Sequence, residues 1–507
     1  MYSEHHDNRC LFGKVDSRRN RPETQSFAYS STGHFKIHYD ITGQDAPSQS
    51  DSDSNSVPDY VEYVGIIAEN SRNTFINDMG YLPEVPDDDG VYDIYIEDRP
   101  PDYYGVNYPD ECISNCSGIP GASWIIIDNE YEQGEFFTSG LNTMRITVAH
   151  EFFHAIQRAY FVHNLTEDDE EDNNFFWEMT ATWVEDIMVP NSNDYIEWMN
   201  TFFDISNMED GLISDFDGYG LALFGHYLSI VIDEEEDEIE SSIIRKIWED
   251  YSTSTYPSAF ASIKNVLENE YNSSFAYAWG DYCSRNHFNG ELSSMDSDIY
   301  YYPDQIEIDN TFNLTEFTLN ANMQTQQLIL NNEEAVAFKK YKTHEMIAID
   351  FDFTTVPNNS FYHGFISIKP NNEGLNQIIP INEGSGPFIL YPNDNIFLTF
   401  TGDQAIMFSY EIDYNTNLPP PQIGDVNLDE TINIQDILLV INHVLGNNNL
   451  NEDELAQSDV NNDSIIDILD IISLVNFILY PVPMGWDFEE EWTGSDSYIF
   501  VQYDPAA

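Results

Sequence analysis

Basic residues are scarce in this chain: 18 Lys and Arg stand against 90 Asp and Glu, a formal net charge of −72 over 507 residues. Nucleic acid is thereby excluded as a partner class, because phosphate binding needs clustered cations. Three sources of acidity compete: calcium-binding loops, a saline habitat in which solvated carboxylates keep the surface soluble, and acidic linkers. The runs Glu167–Asp172 and Asp233–Glu240 show no ligand spacing and are expected to be solvated. No run of 18 apolar residues occurs, so no membrane span is expected. The start, Met1 to His6, lacks the basic and apolar stretches of a signal peptide. That is at odds with an extracellular or cell-surface chain, and a truncated or mis-assigned start reconciles the two. There are only four cysteines. Cys112 and Cys116 could close a small disulfide loop, which suits an oxidising compartment, whereas a zinc knuckle would need a second close pair. A pairing of Cys10 with Cys283 is not decided by sequence.

What the chain does have is His150-Glu151-Phe152-Phe153-His154. Residues i and i+4 share one helix face, so both imidazoles can address one metal ion. Glu151 beside them can take a proton from a water whose pKa the metal has lowered, which is the chemistry of peptide-bond hydrolysis. With 12 histidines in the chain the pentapeptide alone is only suggestive, and its context decides. Apolar residues at Leu141, Met144, Val148, Ala149, Phe152, Phe153 and Ile156 follow helical spacing. A catalytic zinc site needs three protein ligands and leaves one position to water. A third histidine in the register HExxHxxGxxH is excluded, since those positions hold Gln157 and Tyr160. Instead an acidic loop, Thr166–Asp172, leads to a second helix containing Phe175 to Asp186. Glu178 on that helix is the best third ligand. Glu185, about two turns further on, is either a group orienting an imidazole or a solvated acid.

HEFFH with WEMTATWVED resembles the gluzincin zinc metallopeptidases over roughly residues 31–290, closest to the secreted bacterial metalloproteases of the MXAN-6640 type. The resemblance implies His150, His154 and Glu178 as ligands of one catalytic zinc and Glu151 as general base. One position departs: many gluzincins carry aspartate four residues after the ligand glutamate, where this chain has Thr182. Tyr219 resembles the tyrosine that several gluzincins set opposite the scissile carbonyl, with His226 a second donor for the oxyanion. The segment Ala122–Asp128 reads as a strand. In similar enzymes such a strand is the sheet edge that pairs with an extended substrate, although a core strand fits the residues equally well.

Near the C-terminus, Asp425, Asn427, Asp429, Thr431, Asn433 and Asp436 occupy positions 1, 3, 5, 7, 9 and 12 of a loop that runs into an apolar helix. Thirty-four residues later the spacing recurs as Asp459, Asn461, Asp463, Ile465, Asp467 and Asp470. Alternate residues supply oxygens because the chain wraps a hard cation. Loops without a leading helix and ending in aspartate resemble dockerin modules, over residues 423–480. Two calcium ions and a cohesin-like protein partner are what that resemblance implies. Position 6 is Glu430 and Ser464 rather than the usual glycine, and the partner-selecting positions 10 and 11 hold Ile434, Gln435, Ile468 and Leu469. Near the N-terminus, Asp51, Asp53, Asn55, Val57, Asp59 and Glu62 form a third candidate calcium loop, with Ser56 and Pro58 making its turn unusual.

These readings assemble into a multidomain α+β chain. Residues 1–30 are expected to be irregular. Residues 31–305 form a zincin-like catalytic domain, a mixed sheet with active-site helices and a helical lower lobe; His34 and His38 in its opening strand share a surface face. Residues 306–415, with period-two alternation, form a β-sandwich accessory domain. A stiff Pro-rich linker, 416–422, leads to the small all-α calcium-binding dockerin-like module, and an acidic aromatic tail, 481–507, has no assignment. The expected activity is zinc-dependent hydrolysis of a protein or peptide substrate. The alternative is a non-enzymatic, calcium-stabilised adhesion or assembly protein with a degenerate peptidase domain.

Overall fold

A computed structural model describes residues 21–479 apart from 88, 101–102, 111–120, 133–136, 161–166, 200–202, 204–217, 255–257, 294–298, 309–311, 320–325, 333–334, 345, 356–361, 372–375, 382–387, 416–423, 429–430, 448–449 and 461–464. The linker, the tail, Cys10, Cys112 and Cys116 lie outside the described residues, while Cys283 is a buried free thiol. Contacts divide the chain into two compact units. One runs to residue 415, and the other holds 416–507 with the short pieces 372–374 and 387–389.

The first unit opens with a five-stranded mixed sheet, β1 (Ser26–Tyr29), β2 (Phe35–Tyr39), β3 (Tyr92–Glu97), β4 (Gly105–Pro109) and β5 (Ser123–Asp128), in the order β1-β2-β3-β5-β4. β2, β3 and β5 run parallel, and the outer strands β1 and β4 are antiparallel to their neighbours. Strand alternation divides the apolar residues between two faces. Ile94, Ile96, Ile125 and Ile127 join the main core, whereas Tyr95, Val106, Tyr108, Trp124 and Ile126 form a separate cluster. Two expectations are corrected here. The segment read as irregular contains β1, whose exposed positions carry Phe27 and Tyr29 and whose half-buried positions carry only Ser26 and Ala28, so its pattern is inverted and short. And β5 is not a sheet edge: it is buried at every position and paired on both sides, as a continuous apolar run allows. The edge is β4.

Helix α1 (Asp59–Arg72) follows β2, and α2 (Leu141–Ala159) and α3 (Glu167–Met188) follow β5. Phe152 of α2 packs edge-on against Phe35 and Tyr92, and Phe153 against Phe75 and Tyr81, which seats the helix on the sheet. The acidic run 167–172 belongs to α3 rather than to a loop, since carboxylates in a first helical turn are favoured by the helix dipole. Among the described residues four shorter helices follow: α4 (Ala222–Tyr227), α5 (Ile243–Thr253), α6 (Ala259–Glu270) and α7 (Phe275–Arg285).

Residues 316–415 contribute two sheets. One has the strand order 377–381, 362–369, 395–402, 337–342, 316–318, and the other includes 347–355, 406–415 and 326–330. They do not form a body apart from the helical lobe. A Cβ on Gly280 of α7 would lie 2.6 Å from Phe365, Thr401 donates to the Ala276 carbonyl at 2.6 Å, and His287 stacks on Phe397 at 4.5 Å. The boundary expected at 306 is therefore packed through, because small residues on α7 admit the sheet closely. The second unit holds α8 (Ile434–Val444), α9 (Glu452–Ser458) and α10 (Ile468–Leu479) around Val426, Val440, Leu450 and Leu474.

Candidate metal centre

Facing turns of α2 and α3 bring His150, His154 and Glu178 together, each at most 1% exposed. Nε2 of His150 lies 3.1 Å from Nε2 of His154 and 3.2 Å from Oε2 of Glu178, which is 3.6 Å from Nε2 of His154. Among the described residues this is the one group of three such side chains whose ligand atoms all lie within 4.8 Å of one another.

The protons on these rings follow from their other nitrogens. Gln157 Nε2 donates to the Trp177 carbonyl and to Thr180 Oγ1, both at 2.9 Å, which fixes the amide and turns its Oε1 toward His154 Nδ1 at 2.7 Å. An amide oxygen only accepts, so Nδ1 of His154 carries a proton and Nε2 is the nitrogen turned toward Glu178. On the other side Glu185 Oε1 lies 2.6 Å from Nδ1 of His150, and as a carboxylate it imposes the same tautomer. Burial pushes the Glu185 carboxyl up to about 7, against the pull of its hydrogen bond from His150. Nε2 of each ring and one carboxylate oxygen of Glu178 then converge on one point. Such an N2O acceptor set fits a divalent transition cation.

Glu185 thus resolves the departure at Thr182, which is itself buried: the imidazole is held from seven residues beyond Glu178 instead of four. Gln157 had no sequence role except to exclude the glycine register. Its signal was its place three residues after His154, on the same helix face.

Glu151 is fully buried, with its Cγ 2.9 Å from where a Cβ on Gly105 of β4 would stand. Tyr219 lies parallel to His150 at 6.0 Å and to Trp198 at 4.9 Å. A cavity of about 10 Å³, room for one water, is lined by Tyr104, Thr147, His150, Glu185, Asp194 and Tyr219. His226 does not line it. Its Nδ1 meets Glu238 Oε1 at 2.7 Å and its Nε2 faces Asp186 at 3.8 Å, so its role as an oxyanion donor is corrected to that of a buried ion-pair partner. Burial opposes its charge, but Glu238 and Asp186 outweigh that and push it up to about 9. Glu234, Glu236, Asp237 and Glu240 of the acidic run 233–240 are exposed as expected, and the view of the run as solvated is corrected at Glu238 and Asp233. Glu238 also accepts from Trp183 Nε1 at 2.7 Å, and Asp233 accepts from the backbone N–H groups of Ser242 and Ile243 at the start of α5.

The two C-terminal loops repeat one another bond for bond. Asp436 accepts from Val426 N at 2.7 Å and Asn433 N at 2.8 Å, and Asp470 from Val460 N at 2.8 Å and Asp467 N at 2.9 Å. Asn433 and Asp467 each accept from the backbone two residues on at 2.7 Å, starting α8 and α10. Asp425 is buried, Thr431 and Ile465 are exposed, and Asp459 is half-buried, while Asp429, Asn461 and Asp463 lie outside the described residues. In the N-terminal loop Asn55 Nδ2 bridges Asp53 (3.0 Å) and Glu62 (2.6 Å), and Asp51 accepts from Asn55 N and Ser56 N. Val57 N donates to Asn55 Oδ1, and Asp59 is taken up by Ser50 and Ser52. The oxygens of this loop are engaged by its own donors.

Residues 423–479 match the dockerin type I domain family. Searches of curated proteins and of solved structures return no match. The family match covers the second unit alone and supports calcium binding and a protein-docking role for it. No helix among the described residues is long and apolar enough to cross a membrane.

Proposed function

We propose that the first unit is a zinc-dependent peptide-bond hydrolase and that the second attaches it, through calcium-ordered loops, to a cohesin-type protein partner at an extracellular site. The observation carrying the hydrolase reading is the convergence of two Nε2 atoms and Glu178 Oε2, with Nδ1 of each ring held by its own acceptor. His150, His154 and Glu178 would hold the ion. When bound, zinc supplies Lewis acidity that makes water a nucleophile near neutral pH and polarises a carbonyl.

The chain's own residues supply the rest. Glu151, one residue after the first histidine and shut from solvent, takes the proton of the attacking water and returns it to the leaving amine. Tyr219, beside His150, is the donor best placed for a developing oxyanion. In the antiparallel β4/β5 pair Asp110 N donates inward to the Ala122 carbonyl, so Gly105 and Asn107 turn their backbone groups outward. An extended peptide added to this outer strand would lie beside α2, at the positions of Gly105 and Asn107, both buried in this structure. Pro109, which lacks an N–H, falls in the same outward set and marks the end of the edge. The mixed sheet with α2 and α3 supports a zincin-like reading of 31–305, and the two sheets of 316–415 support a β-sandwich.

For docking, Ile434 and Leu438 on α8 and Ile468 and Ile472 on α10 stand exposed at positions 34 residues apart, two matching apolar faces for a protein partner. Metal analysis of the purified chain, with casein digestion by wild type and Glu151→Gln, tests the hydrolase. One zinc per chain in both and loss of digestion in the variant are expected. Absence of zinc from wild type, or undiminished digestion by Glu151→Gln, overturns it.

A further inference from the structure

Asn107, in the middle of the edge strand β4, is only 2% exposed, and four partners surround its side chain. Its Nδ2 lies 3.0 Å from the backbone carbonyl of Glu151, 3.2 Å from Tyr92 Oη and 3.3 Å from Ser123 Oγ. Its Oδ1 accepts from Arg158 Nε at 2.8 Å. A guanidinium only donates, so Arg158 fixes which way the amide faces, and Nδ2 must point at the Glu151 carbonyl. Two residues back on the same strand face, Gly105 leaves room for the Glu151 side chain: a Cβ there would come within 2.8 Å of Thr147 and 2.9 Å of Glu151. One strand thus touches the backbone of Glu151 at Asn107 and its side chain at Gly105. Arg158, two turns along α2 from Glu151, completes a strap between helix and strand.

We infer that Asn107 and Arg158 are positioning residues that hold β4 against the turn of α2 carrying Glu151, and so set where that base stands relative to a substrate carbonyl. This rests on the hydrolase reading. Asn107 touches neither the ligand atoms nor the outward backbone groups of β4. Its removal should leave metal binding intact, loosen β4 on α2, and lower turnover through misplacement of the substrate carbonyl relative to Glu151. An error of about 1 Å in such a distance costs about a hundredfold in rate.

The test compares Asn107→Ala, Arg158→Ala and Arg158→Lys with wild type by zinc content, amide hydrogen exchange and casein digestion. In Asn107→Ala zinc content should be unchanged, exchange of β4 amides about tenfold faster with β2 and β3 unaffected, and kcat lower by roughly 10–100-fold with KM altered less than about threefold. Arg158→Lys, which keeps a donor for Oδ1, should retain more turnover than Arg158→Ala. The double alanine variant should be no slower than Asn107→Ala alone, since both act on one strap. If Asn107→Ala does not fold, the Arg158→Lys and Arg158→Ala pair carries the same comparison. Unchanged kcat, with or without faster exchange in β4, overturns this inference and leaves the hydrolase reading standing. A wild type without zinc or digestion overturns both.

Discussion

Gln157→Leu isolates what holds His154. The amide makes three buried hydrogen bonds, to His154 Nδ1 at 2.7 Å and to the Trp177 carbonyl and Thr180 Oγ1 at 2.9 Å. Leucine is close in volume, so the loss is of hydrogen bonding rather than packing. His154 Nδ1–H is then left without its acceptor in a fully buried place, at a cost of about 1–3 kcal/mol. The ring becomes free to turn or to change tautomer, and removal of such a partner lowers metal affinity by roughly 10–100-fold, which is about 1.4–2.7 kcal/mol. Competition with a fluorescent zinc chelator reads this directly. Gln157→Glu separates the two functions of the residue. Its carboxylate still accepts from Nδ1–H, so zinc affinity should be kept, while the lost donors to Trp177 and Thr180 lower the stability of the metal-free chain. A zinc Kd within about twofold of wild type in Gln157→Leu would refute the tautomer argument, since nothing else would then be fixing the lone pair at Nε2.

The ion pair of His226 should make stability fall in alkali. Its folded pKa of about 9 lies above the ordinary 6.5, so its stabilisation is fully present below about pH 6.5 and is lost as pH rises through about 9. Asp186, pushed up to about 7 mainly by burial, is already ionised in the upper part of that window, and the Glu238 carboxyl, held low, adds no slope there. Thermal unfolding at pH 6.5 and pH 9 should show a smaller drop in His226→Gln than in wild type; equal drops would remove the pair as the cause. In the second unit, Asp436→Ala and Asp470→Ala should each abolish one of two calcium-binding events by titration calorimetry and lower calcium-dependent capture of a cohesin-type partner. Because the loops share their bonding, the two losses should be alike, and two undiminished binding events in either variant would count against calcium at these loops.

The parts of this fold legible in the sequence are those whose pattern is local. The helix of the candidate ligands announces itself because two histidines and a run of apolar residues share the period of one helix, and the calcium loops because every donor lies within twelve residues. β4 gives no such signal. Gly105, Asn107 and Pro109 are all poor strand formers, and the strand exists because one side pairs with β5 while the outward positions need no partner. Sequence alone does not separate edge from core for β5, and its six buried residues mark it as interior. His226 was misread for a related reason. Asp186 is forty residues away, and the acidic run that holds Glu238 offers no sign of which carboxylate turns inward.

The candidate centre also shows why its third ligand was easier to find than its supports. A ligand must come from a residue type that binds metal, and only a few carboxylates follow the motif at a reachable distance. A support need only accept one hydrogen bond, so aspartate, glutamate, glutamine or a backbone carbonyl can serve. Here the two rings use different ones: a carboxylate from α3 for His150 and an amide from α2 itself for His154. The choice has a chemical consequence. A carboxylate behind His150 adds negative charge to a site already holding Glu178, whereas the neutral Gln157 adds none, and in a buried centre each further charge must be compensated. With Glu185 ionised, the two carboxylates Glu178 and Glu185 match the two positive charges of a divalent ion, so that Glu151 is not needed for neutrality. A carboxylate in that position is the one available to carry a proton.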